Sequence, residues 1–202
     1  AREDFRKTLE ISPDSVAAVN GHAWASSYLG DALRSLDRED EAAAMYDESL
    51  AQRSPLTSGG NVPSFDVGEA AVWLLTNCPD DSKRDYVVAM KLAEALVAKY
   101  PKSGRGRVLL AMCHYRQANY ELALSELDEA KVYNLGNRTS AYILRAMTLW
   151  KLEGQKVKAE AEWKQAVGIM DSHTPGNLRL RRLRAEAEAL LGDVAKPAAD
   201  AQ

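Results

Sequence analysis

The chain holds only two cysteines in 202 residues, Cys78 and Cys113, too few for a disulfide framework and suited to a reducing compartment. Strand signals are equally scarce, because long alternating Val/Ile/Thr runs are missing. The longest apolar runs, such as Val108–Cys113, are far too short to span a bilayer. No basic-then-apolar segment opens the chain, so no signal peptide is visible. A formal net charge of −3 gives no strong pull toward nucleic acid or an anionic membrane. What is present is ordinary for a globular protein, with 46% apolar and 27% charged residues, enough to build a sizeable core. A cytoplasmic protein without a membrane partner is expected. With no initiator Met and a helical pattern already running at Arg2, the chain reads as a piece of a longer protein.

Prolines and glycines fall between apolar stretches at helical spacing, and those stretches repeat. The frame is a small residue, an aromatic or large one four later, a small one three later, and a proline about five further on. It reads Ala1, Phe5, Thr8, Pro13, then Ala42, Tyr46, Ser49 and, one residue late, Pro55. A third copy is Ala89, Ala93, Leu96, Pro101, and two copies without the proline are Ala123, Leu127, Ala130 and Ala159, Trp163, Ala166. Small residues let two antiparallel helices approach, the large residue fills the gap to a neighbour, and proline lacks the N–H that would continue the helix. Helices are predicted near 2–11, 14–36, 40–53, 67–77, 84–100, 104–117, 120–133, 138–152, 156–171 and 177–191. The segment SPLTSGGNVPSFD (54–66) is expected to form a long loop, with Asp66 capping the next helix.

This frame resembles the tetratricopeptide repeat. Four blocks extend the resemblance: AAVWLLTNCPDDSKRDYVVAMKLAEALV (70–97), LLAMCHYRQANYELALSELDEA (109–130), AYILRAMTLWKLEGQKVKAEAEWKQAV (141–167) and LRRLRAEAEALLG (180–192). In this order they are similar to the C-terminal repeat region of bacterial, eukaryotic-like serine/threonine protein kinases. The resemblance covers roughly 67–192 and implies an all-α, right-handed α-solenoid of helix pairs. The organisation it implies is a truncated repeat's second helix (1–13), a long irregular repeat (14–55), the Ser/Pro/Gly-rich loop (56–66) and repeats at 67–103, 104–137 and 138–175. A capping helix (176–192) and a disordered tail (193–202) complete it. No kinase motif is carried over, because the chain has no Gly-rich phosphate loop, no His-Arg-Asp loop and no Asp-Phe-Gly.

Candidate chemistry is thin, and neither an enzyme nor a cofactor is expected. Cys113 and His114 are adjacent on a helix, point about 100° apart and cannot share a ligand face, and no Cys-x2-Cys or His-x3-His supplies further metal ligands. The acids Glu39, Asp40, Glu41, Asp80, Asp81, Glu160 and Glu162 fall at helix starts or on polar faces, where they complement the helix dipole. The basic cluster RLRRLR (179–184) alternates with Leu180 and Leu183, so its arginines are expected on the solvated face of the last helix rather than on nucleic acid. Cys78 sits at a helix C-terminus beside two acids, which raises its pKa. The Cys-Pro-Asp turn there reads as a hinge, and Cys78→Ser is expected to leave fold and binding nearly intact.

The expected function is therefore a protein-binding scaffold. Mapped onto this chain, the resemblance implies groove-facing positions at Tyr28, Asp31, Met112, Tyr115, Arg116, Arg145, Thr148 and Lys151. Arg116, Arg145 and Lys151 would make that face locally basic, favouring an acidic segment or a C-terminal carboxylate. Ser27 and Asp31 depart from the carboxylate clamp of the chaperone-binding subgroup. Self-association into a homodimer, with 14–66 as its surface, is the alternative, followed by nucleic-acid binding through the Arg-rich helix.

Overall fold

The computed structural model describes residues 2–12, 15–133, 139–173 and 176–192. Ala1, Pro13, Asp14, residue 138 and the tail 193–202 lie outside the described residues. The described residues form α-helices joined by turns, with no strand among them: α1 (Arg2–Ile11), α2 (Val16–Arg34), α3 (Glu39–Thr57), α4 (Phe65–Asn77), α5 (Tyr86–Lys99), α6 (Gly104–Arg116), α7 (Tyr120–Val132), α8 (Thr139–Lys151), α9 (Lys156–His173) and α10 (Leu178–Leu191). None of them is long and apolar enough to cross a membrane.

Local chemistry sets five of the helix starts. Ser15 accepts from the N–H of Ala18, Ser64 from Val67, Ser103 from Gly106, Asp85 from Val87 and Val88, and Asn177 from Arg179 and Leu180. Each satisfies donors that the first turn leaves without a partner. Ser64, not Asp66, caps α4, so that helix begins two residues earlier than the sequence reading, with Asp66 in its first turn. The loop expected over 54–66 also shrinks. Helix α3 runs through Pro55 to Thr57 and is followed by a 3-10 turn over Ser58–Gly60. Proline removes one hydrogen bond there, but the last carbonyls of α3 find other donors. Thr57 Oγ1 donates to the Arg53 carbonyl, Ser58 Oγ to that of Pro55, and Asn61 Nδ2 to that of Leu56.

Consecutive helices pack as pairs, α2 with α3, α4 with α5, α6 with α7 and α8 with α9. Three of the intrapair turns share one backbone device. Asp37, Ala118 and Gly154 adopt positive φ (58°, 61° and 70°), each two residues before the next helix. Only glycine takes that conformation without a steric cost. The fourth turn, between α4 and α5, is the Cys-Pro-Asp segment, which uses a 3-10 turn over Asp81–Lys83 capped by Asp80.

In four of its five copies the sequence frame coincides with the packing, whereas in the first copy Thr8 is exposed and Phe5 only half-buried. Ala42, Tyr46 and Ser49 in α3, Ala89, Ala93 and Leu96 in α5, Ala123, Leu127 and Ala130 in α7, and Ala159, Trp163 and Ala166 in α9 are all buried. A Cβ on Gly30 would stand 2.7 Å from the Tyr46 ring, so glycine at this position lets α2 and α3 approach around the tyrosine. Ala123 is fully buried, so a larger side chain there would overpack the core at a cost of about 1–3 kcal/mol.

Cys78 ends α4 in the expected turn and its thiol is raised as expected, but its burial departs from the sequence reading. It is fully buried in one cluster with Leu33, Ala42, Tyr46 and Leu74. Its pKa is pushed up to about 11 by burial, against the opposing pull of the Asp80 backbone N–H and the Arg182 cation. Cys78→Ser would therefore place a hydroxyl in an apolar cluster, and the turn is also part of the core.

Candidate functional site

The last helix has the most to do with a candidate site. Helix α10 packs on α8 and reaches α2, at the far end of the helix series. Its apolar stripe, Leu183, Ala187 and Leu191, is buried in the cluster that holds Met112 and Tyr115 of α6 and Ile143 and Met147 of α8. The expectation of a helix that merely covers one end is thus corrected: α10 crosses the first members of successive pairs.

The N-terminal half of α10 is fastened to α2 by charge. Asp31, with its side chain 3% exposed, accepts from Tyr46 Oη at 2.9 Å, Arg182 Nη1 at 2.6 Å and Arg179 Nε at 3.4 Å. Arg179 Nη2 donates to Ser27 Oγ at 2.6 Å, and its guanidinium lies 4.2 Å from the Trp24 ring centroid and 4.4 Å from that of Tyr28. Burial lowers the Arg179 pKa, and the Asp31 carboxylate opposes that shift. Tyr46 is pushed up, first by burial and then by Asp31, which holds its phenol as a donor. Close by, Arg53 is buried against neutral partners, Asn20 and Ser49, and burial pulls its pKa down to about 9. The arginines of 179–184 are therefore not a solvated face. Arg179 is buried, Arg182 is held by Asp31, and Arg184 pairs with Asp171 and Glu188, while Arg181 is exposed.

Farther along, Arg116 of α6 grips Glu186 of α10 with both Nη atoms, and its Nη2 also donates to Asn77 Oδ1 of α4 at 2.6 Å. A cavity of about 340 Å³ opens between α4, α6 and α10, lined by Trp73, Asn77, Pro79, Asp81, Arg84, Arg116, Arg179, Arg182, Leu183 and Glu186.

The eight residues expected in a groove thus divide. Tyr28, Asp31 and Arg116 touch α10 directly. Met112 and Tyr115 lie in the buried cluster beneath it, Met112 with no exposure at all. Thr148 is fully buried and donates to the Leu144 carbonyl. Neither Met112 nor Thr148 has surface to offer a partner. Arg145 and Lys151 line a different cavity, of about 580 Å³, beside Tyr120, Glu121, Leu124 and Lys158. A single basic face is also corrected, because Arg116 is matched by Glu186 and Arg145 by Glu162 at 2.8 Å and Asp128 at 2.7 Å.

Sequence reasoning gave Trp73 and Glu186 no part in a site, and weighed Arg179 and Arg182 only as a solvated face or a nucleic-acid contact. The spacing names their face but not their partners: Arg179, Arg182 and Glu186 lie at i, i+3 and i+7, on the same face as Leu183 and Ala187. Long Arg stems with charged ends look like solvent residues until an acid such as Asp31 turns up opposite them. Among the described residues no group of three or more His, Cys, Asp or Glu is placed to hold a metal ion. No family model matches the chain, and no curated protein matches it.

Proposed function

We propose that the chain is a non-catalytic protein-interaction scaffold built as a tetratricopeptide-type α-solenoid, part of a larger bacterial signalling protein such as a serine/threonine kinase. The repeat reading is supported by the paired helices, by burial of the small-large-small frame in α3, α5, α7 and α9, and by the shared left-handed turns. The link to a kinase rests on the order of the sequence blocks.

One observation carries the binding function. The face made by α2, α4, α6 and α8 already holds a helix, through an apolar stripe flanked by ion pairs at Asp31 and Arg116. An amphipathic helix laid into a groove is a general mode of partner recognition. The partner that fits is an amphipathic helix with a cation to meet Asp31 and, further along, a carboxylate to meet Arg116. This differs from the extended acidic ligand expected from the sequence, because both Arg116 and Arg145 are matched by acids within the chain.

A partner of this kind competes with α10. Its binding is expected to tighten when Arg179→Ala loosens α10, and to weaken when a synthetic peptide of residues 177–192 is added. Isothermal titration of a purified partner against both chains, with and without peptide, reads this directly. A partner whose affinity is indifferent to both perturbations would refute the assignment to this face.

A further inference from the structure

The cavity between α4, α6 and α10 has properties that docking of a helix does not use. Four arginines line it, Arg84, Arg116, Arg179 and Arg182. The carboxylates matched to them are three: Asp81 with Arg84, Glu186 with Arg116, and Asp31 with both Arg179 and Arg182. One positive charge is left over in a recess where desolvation makes charge more effective.

Two of the lining residues also carry buried donors without a partner. Trp73 Nε1 and Arg116 Nε are buried and have no hydrogen-bond partner among the described residues. Buried donors are nearly always paired, and an orphan costs about 1–3 kcal/mol. Both atoms can only donate, so whatever satisfies them is an acceptor. The two sit on different walls, α4 and α6, while Arg182 comes from α10 and Arg84 from the turn after α4. A carboxylate presents two coplanar oxygens, whereas a phosphate presents acceptors toward several walls at once. The cavity's 340 Å³ falls in the range of small-ligand pockets, about 300–1,000 Å³.

We infer that this cavity is a binding site for a phosphate group, free or carried on a small ester, held by Arg84, Arg116 and Arg182 with the Trp73 indole as a further donor. Because α10 supplies one wall, a filled site ties α10 to α4 and α6. The site stands whether or not the helix pairs belong to the tetratricopeptide family.

The test uses the full chain labelled with nitrogen-15. Its four tryptophans give four indole N–H signals, and Trp73→Phe assigns one of them. Titration with inorganic phosphate, and separately with O-phosphoserine, is expected to shift the Trp73 signal downfield and saturably. Tighter binding of phosphoserine would assign the site to esters, and tighter binding of phosphate to the free ion. Arg84→Gln, at a half-buried position on the rim, is expected to weaken either probe at least about tenfold, the loss of one charged hydrogen bond. Glutarate serves as the carboxylate control. A Trp73 signal unmoved by both phosphates, glutarate binding as tightly as phosphate, or an Arg84→Gln chain with unchanged affinity would each overturn the inference.

Discussion

Replacing Asp31 with alanine is the sharpest perturbation of how α10 is held. Asp31 takes three donors, Tyr46 Oη, Arg179 Nε and Arg182 Nη1, and is nearly inaccessible to water. Its removal leaves Arg179, itself 7% exposed, as a buried guanidinium whose remaining partners are the neutral Ser27 and two aromatic rings. Removing one partner of a buried pair in this way costs about 3–5 kcal/mol. The full cost need not appear as global unfolding, because α10 can leave and carry Arg179 into water. The loss of stability is then capped at the free energy of docking α10. Two measurements separate these outcomes: urea denaturation of Asp31→Ala, and amide hydrogen exchange over 178–191. The expected result is accelerated exchange in α10, with slower change in α6 and α8. Arg179→Met added to Asp31→Ala is expected to recover part of the loss, since the stranded charge is gone. A loss under about 1 kcal/mol with α10 exchange unchanged would refute the reasoning, because a buried ion pair cannot be broken so cheaply.

Two further outcomes follow from the core and the turns. Cys78 and Cys113 are buried, and burial raises their thiols to about 11 and about 12. Their contribution is fully present below the ordinary thiol pKa of about 8.5 and is lost as pH rises through the raised values. The stability gap between the wild type and Cys78→Ala should therefore narrow by about 2 kcal/mol from about pH 8 to about pH 11, read by urea denaturation; a gap independent of pH would contradict it. Ala118 holds a left-handed conformation with φ of 61° in the turn between α6 and α7. Ala118→Gly is expected to raise stability by about 0.5–1 kcal/mol, by the strain relieved less the added chain entropy, and thermal denaturation showing a loss would contradict it.

Much of the helix pattern was legible because apolar spacing and core packing are the same fact in these pairs. Ala89, Leu96, Ala123, Leu127 and Trp163 are buried where the frame put them. Boundaries were less legible where a rule of thumb met competing donors. Pro55 reads as a stop, yet Thr57, Ser58 and Asn61 supply hydrogen bonds that let α3 continue. Cys78 reads as a turn residue because its neighbours are Pro79, Asp80 and Asp81, while its burial depends on Leu33 and Tyr46, far away in sequence. The candidate site was the least legible part. Asp31 and Arg116 were singled out for a partner from outside, and their partners turned out to be Arg179, Arg182 and Glu186, which lie 70 or more positions further on. No local spacing encodes such a pairing.

The central claim is that the face of α2, α4, α6 and α8 recognises an amphipathic helix. It is tested most directly by a full chain carrying Arg179→Glu, in which the new carboxylate faces Asp31 and α10 is driven off, titrated with a fluorescent peptide of the wild-type residues 177–192. The account predicts saturable binding in anisotropy to this variant, little binding to the wild type, and loss of binding when Asp31→Ala is added. A peptide that fails to bind the variant, with hydrogen exchange confirming that α10 has left the face, would contradict it.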